Sequence, residues 1–323
     1  MILCAFLLRL CAIGFFRPMA ELLTKPNIAS VIIYLETGRI VRFSDSLGEA
    51  TVFAPIRYQL PEATEAPQPD PEIDRPQFTA ADATEVKILG ADVDADTGSL
   101  IQQPLEWDLT GSEPTVLILH THATESFTRS AGERYEESSA FRTLSESYNM
   151  LSIGDRVTEL LEAGGVNVLH DRQLHDYPSY NSAYSHARKS IQQYLEAYPS
   201  IRLVLDLHRD ASGDNQNQMT TAATVDGQPS AQLMLVIAAG TAARPVPHWQ
   251  ENLALGLKLH VQLERTAPGI CRYINLRASR FNQDLSPGAL LVEVGAAGNT
   301  HQEALLAAEI LAEGILILAE GCA

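Results

Sequence analysis

Three apolar runs in this chain each end in ionisable residues, and this pattern limits the folds open to it. The first is Thr115-Val-Leu-Ile-Leu-His120-Thr-His122-Ala-Thr-Glu125. The second is Ile201-Arg-Leu-Val-Leu-Asp206-Leu-His208-Arg209-Asp210, and the third is Ala289-Leu-Leu-Val-Glu293-Val-Gly295. Continuous runs of Val, Ile and Leu, rather than alternating ones, mark strands buried on both faces of a sheet. A polar side chain inside such a strand is costly unless it is paired or functional. Open α/β sheets gather their working groups at the carboxyl ends of strands. The tips of the three runs therefore point to one shared site.

The rest of the chain supports that architecture. Helical spacing of apolar residues predicts helices over 148–163, 184–198, 248–266 and 302–318. Gly164-Gly165 closes the first and Pro199 follows the second. Strands are expected at 115–120, 166–169, 201–207 and 289–294, with a further extended segment at 270–277. The Asp226-Gly227 turn predicts a hairpin between 219–225 and 231–237. Alternating β and α segments imply an α/β fold: a mostly parallel sheet flanked by helices on both faces.

Upstream of about residue 111 the pattern changes. Residues 1–20 begin with an apolar run, broken by Arg9 and closed by Arg17-Pro18, and are expected to form a membrane anchor or uncleaved signal. That would place the domain outside the cytoplasm on a single N-terminal tether. Residues 21–60 suggest short strands in a small β or irregular region, and 61–110, rich in Pro, Glu and Asp early on, suggest a linker. The catalytic domain is then 111–323. The net charge of -17 argues against nucleic-acid binding through a general basic face. The four cysteines form no CxxC pair, so a cysteine zinc site is not expected; Cys271 and Cys322 are expected to be free thiols.

The tips carry the residue types of a zinc hydrolase. Catalytic zinc takes three protein ligands and keeps a position open for water, whose pKa falls to ~7. His122 and Glu125 form an H-x-x-E pair, and His208 supplies a third donor from another strand. Glu133, Glu136 and Glu137 compete with Glu125 for the carboxylate position. Glu293 is the expected general base. Arg209, whose fork suits oxyanions, is expected to polarise the scissile carbonyl or hold a substrate carboxylate. His120, Asp206 and Asp210 are expected to orient the ligands from behind. His170, His175, His186, His248, His260 and His301 read as ordinary histidines.

Leu119-His-Thr-His-Ala-Thr-Glu-Ser126, Leu205-Asp-Leu-His-Arg-Asp-Ala211, Phe281-Asn-Gln-Asp-Leu-Ser-Pro-Gly288 with Leu291-Val-Glu-Val-Gly295, and Asn299-Thr300 together resemble the stage II sporulation protein P family. Tyr180-Asn-Ser-Ala-Tyr184 adds to the resemblance, which spans about residues 112–320. It implies a zinc N-acetylmuramoyl-L-alanine amidase of the cell wall, with an amidase or carboxypeptidase-like core. It also implies cleavage of peptide cross-links and a membrane-bound lytic transglycosylase partner. On this sequence His122 and His208 match the metal histidines and Glu293 the catalytic glutamate. Phe127 stands where the family has tyrosine after its Thr-Glu-Ser motif. The rival readings are a carboxypeptidase or endopeptidase of the same fold, and a catalytically inactive wall-binding module that recruits or activates another hydrolase.

Overall fold

The computed structural model describes residues 76–320, except 106, 215 and 216. These residues fall within one compact unit, Asp70–Ala323. The expected anchor (1–20) and small β region (21–60) lie outside the described residues.

In chain order the elements are α1 (Ala80–Glu85), β1 (Ile88–Gly90), α2 (Thr97–Gln102), β2 (Val116–Leu119), α3 (Met150–Ala163), β3 (Val168–His170), α4 (Ala183–Ala197), β4 (Leu203–Asp210), β5 (Ala223–Val225), β6 (Gln228–Ser230), β7 (Leu233–Ala238), β8 (Gly240–Thr241), β9 (Arg244–Pro245), α5 (Trp249–Thr266), β10 (Ile274–Arg277), β11 (Ala289–Ala296) and α6 (His301–Glu320). A seven-stranded sheet runs in the order β1-β10-β7-β11-β4-β2-β3. Every neighbouring pair is parallel except β7 with β11, so the sheet is the expected mostly parallel one with a single antiparallel seam.

The sheet is covered unequally. Leu235, Ile237, Ile118, Leu205 and Val292 face the main core, which also holds apolar residues of α3, α5 and α6. On the opposite face α4 covers only the β2–β4 side, through Ala187 and Ile191 against Leu117, Leu119 and Val204. Beside it, Met234, Val236 and Leu291 form a separate small cluster with the partly buried Tyr273 and Phe281. Among the described residues no α-helix packs on that part of the floor, and a cleft forms there. Among the described residues no helix is long and apolar enough to cross a membrane.

Two expectations are corrected. The linker assigned to 61–110 does not extend through its described part. Leu100, Ile101, Trp107 and Leu109 are buried in the main core, and β1 pairs with β10 at the sheet edge. The Pro-rich stretch before them concealed apolar residues spaced too widely to read as elements. The hairpin at Asp226-Gly227 is also smaller than expected: β5 pairs with β6, while β7 leaves it to join β11 and β10 in the main sheet. Asp226 (φ 50°) and Gly227 (φ 79°) supply the left-handed pair that such a turn requires.

Candidate metal and catalytic site

β4 and β11 set the geometry of the site. His208 and Glu293 are register partners on these adjacent parallel strands, and Asp206 pairs with Leu291 two residues earlier. Strand alternation puts Asp206, His208 and Glu293 on one face, the one that opens into the cleft. His122 and Glu125 come from the loop after β2. That loop is anchored through Asp206, which accepts hydrogen bonds from the Thr121 amide at 2.7 Å and its hydroxyl at 2.6 Å. The Glu125 amide donates to the His122 carbonyl at 3.1 Å, a turn that brings both side chains round together.

The result is a cluster of donors. His122, Glu125 and His208 each offer one atom within 4.8 Å of the others. His122 Nδ1 lies 3.5 Å from Glu125 Oε1, and His208 Nδ1 lies 3.5 Å from Glu125 Oε2. A tetrahedral centre with bonds of ~2.1 Å separates its donors by ~3.4 Å, so two imidazoles and a carboxylate spaced this way suit zinc. His208 Nε2 sits 3.0 Å from Asp206 Oδ1 but off the N–H direction, and makes no hydrogen bond. Glu293 Oε2 is enclosed and also lacks a partner. A buried carboxylate oxygen without a partner beside a three-donor cluster is what a site shaped for a further group leaves behind.

The charges are arranged to match. Burial pushes the Glu125 carboxyl up, but Arg209, His122 and His208 outweigh it and hold the group well below the usual range. Burial likewise opposes ionisation of Asp206, yet His208 and Thr121 keep its pKa low. Burial pushes His208 down, but Asp206 and Glu125 raise it well above the ordinary value. Glu293 behaves differently. Burial lifts it to about 8 against the pull of His208, and Glu125 and Asp210 add to the rise. One carboxylate is thus kept charged to hold something, and the other is poised to exchange a proton near neutral pH.

The structure corrects three sequence expectations. Arg209 is not available to substrate. Its Nε donates to the Ser126 carbonyl at 3.0 Å, one terminal nitrogen donates to the Phe141 carbonyl at 2.9 Å, and the other lies 3.6 Å from Glu125. It braces the ligand loop. His120 faces away from the cluster, since the alternation of β2 puts it with Ile118 on the α3 side. There its Nδ1 pairs with the Leu207 carbonyl at 3.0 Å and its Nε2 with His170 at 2.8 Å. Asp210 touches none of the three donor side chains and pairs instead with Arg272 at 2.7 Å. Asp206 does stand behind His208. His170 is not the ordinary histidine expected: it links His120 to Asp155 at 3.1 Å.

Other participants were not anticipated. Arg142 bonds to Asp176 at 2.7 Å and Glu125 at 3.3 Å, tying two loops to the carboxylate. Tyr180 stacks on His122 (centroids 4.6 Å apart), and Tyr184 meets the same ring edge-on at 5.5 Å. The Tyr180–Tyr184 motif was visible in the sequence, but its contact with His122 was not. The cleft has a volume of about 380 Å³ and is lined by His122, Glu125, His208, Glu293 and Tyr184 among others. A larger cavity of about 700 Å³, beside Trp107, Tyr198 and Pro287, contains none of the cluster.

Fold and site together define an α/β domain with a buried His–Glu–His cluster and a neighbouring carboxylate at the mouth of a cleft. The chain belongs to the family described as Stage II sporulation protein P, whose model matches residues 55–316. Stage II sporulation protein P of Bacillus subtilis (strain 168) is 25% identical over 215 residues, covering 63% of this chain and 51% of that protein. The chain thus spans about half the length of this curated relative. Among solved structures, the N-acetylmuramoyl-L-alanine amidase AmiC2 of Nostoc punctiforme is 16% identical, with 66% of this chain and 97% of that one covered and a TM-score of 0.35. The CwlD amidase from Clostridioides difficile, in complex with the GerS lipoprotein, is 13% identical, with 63% and 95% covered and a TM-score of 0.37.

Proposed function

We propose that this chain is a zinc-dependent peptidoglycan hydrolase that cuts the amide between N-acetylmuramic acid and the L-alanine of the stem peptide. The observation that carries this reading is the His122–Glu125–His208 cluster with Glu293 beside it on the neighbouring strand. Membership of the family supports it. The donor set and its spacing fit zinc, with His122, Glu125 and His208 as the residues that would hold it. Zinc, when bound, supplies a Lewis acid that polarises a carbonyl and acidifies water.

The protein's own groups do the rest. Asp206 keeps His208 oriented, and Arg209 and Arg142 keep Glu125 ionised and in place. Glu293 accepts the proton of the attacking water at its carboxylate and returns it to the departing amide nitrogen, which leaves as a free amine. Tyr180 and Tyr184 wall the His122 side of the site. We further infer that the apolar segment at residues 1–20 tethers the domain outside the cytoplasm. A membrane-bound lytic transglycosylase is the partner the family resemblance implies.

Digestion of purified cell wall, with and without a chelator and read by mass spectrometry, tests the reading. Free stem peptides and bare glycan are expected, abolished by the chelator and by Glu293→Gln. Cross-link cleavage alone would favour the endopeptidase. Full activity of the Glu293→Gln protein would remove that residue from the mechanism.

A further inference from the structure

The open floor beside the cluster belongs to β11, β7 and β10. Glu293 is paired with Met234, and Leu291 with Val236, which in turn pairs with Asn275. Arg277 pairs with Ala238, two residues further along. By strand alternation all these positions share the face left without a helix. The cleft therefore runs diagonally from Glu293, over Leu291 and Val236, to Arg277, and all four residues line it.

Its charge is uneven. The Glu293 end is acidic, with Glu125 and Asp210 nearby. Of the two arginines lining the cleft, Arg209 is buried against backbone carbonyls and lies 3.6 Å from Glu125. Arg277 is exposed, and its guanidinium has no hydrogen-bond or ion-pair partner among the described residues. An apolar floor ending in an unpaired guanidinium is complementary to an extended peptide carrying a carboxylate.

The distance selects which carboxylate. Arg277 and Glu293 lie four residues apart along the strands and two strands across, on the order of 16 Å between backbones. Allowing for the reach of an arginine side chain, about three extended residues fit between. We propose that Arg277 is a specificity residue that binds the carboxylate of the third residue on the leaving-peptide side of the scissile amide. The identity of that peptide as a stem peptide rests on the hydrolase reading above.

The test uses the full chain and a stem tripeptide product, made both as its third-residue carboxylate and as the corresponding amide. Binding is followed by calorimetry, which needs no turnover. Wild-type protein should bind the acid about tenfold more tightly than the amide. Arg277→Ala should erase that preference, and Arg277→Lys should keep part of it. In wall digestion the same Ala variant should raise KM with little change in kcat. A preference that survives Arg277→Ala, or a wild type that does not discriminate, would overturn the proposal. If no wall is digested but the acid preference is present and lost with Arg277, the hydrolase reading fails while the carboxylate site stands.

Discussion

Replacing Arg209 with methionine should destabilise the ligand loop rather than weaken substrate affinity. The guanidinium donates to the carbonyls of Ser126 (3.0 Å) and Phe141 (2.9 Å) and lies 3.6 Å from Glu125. Two hydrogen bonds from a charged donor contribute about 1.5–3 kcal/mol each. Removing one partner of a buried ion pair costs about 3–5 kcal/mol, because the other charge is stranded. These losses overlap, so about 3–5 kcal/mol is expected for the variant. In a domain of this size that lowers the melting temperature by roughly 6–20 °C. Glu125 adds a pH signature. Its pKa is depressed in the folded protein, so its stabilisation is present above 4.5 and is lost as pH falls towards the folded value. Without Arg209 that contribution shrinks, and the variant should lose less stability on acidification. Urea denaturation of the metal-free protein at several pH values, followed by circular dichroism, measures both effects. A variant as stable as wild type with only a raised KM would refute this reasoning and return Arg209 to the substrate.

Glu293→Gln should flatten the alkaline arm of stability in the metal-free protein. The folded carboxyl titrates at about 8 and the unfolded one at 4.5, so the native state retains a proton that the unfolded state has released. Stability therefore falls between those values, and identical pH profiles for the two proteins would contradict the burial of this group. Asp206→Asn should cost roughly 10- to 100-fold in zinc affinity in a chelator competition, and unaltered affinity would mean that Asp206 does not steady His208. Gly154→Ala places a methyl 2.4 Å from His120 Nε2 and 2.5 Å from His170 Nε2. Overpacking of about 1–3 kcal/mol should outweigh the roughly 1 kcal/mol that alanine adds to a helix. A stabilised variant in thermal denaturation would show that the two histidines yield easily.

What could be read from the sequence was the part carried by local pattern. His122, His208 and Glu293 stood out because ionisable groups at the ends of apolar strands are costly without a purpose. The four long helices, α3 to α6, were legible from their spacing, and each lies within a few residues of its expected position. What failed depended on distant contacts. Whether Arg209 meets substrate or carbonyls is decided by the loop carrying Ser126 and Phe141, which lies more than sixty residues earlier in the chain. The parting of His120 from His122 turned on where β2 ends, at Leu119: His120 still falls on the side of Ile118, whereas His122 lies in the following turn, where strand alternation no longer aims side chains. β7 was placed in a hairpin because its chain neighbour is close, yet its pairing with β11 lies across the sheet. α1 and α2 are too short for periodicity to detect, whereas the weak extended segment at 86–89 overlaps β1.

The lone antiparallel seam between β7 and β11 has an evolutionary consequence. On one side, parallel strands and the loop after β2 carry the proposed ligands and general base. On the other, β7 and β10 bring a surface that carries none of the proposed ligands. Mutations there can retune which molecules are gripped without disturbing the reactive apparatus.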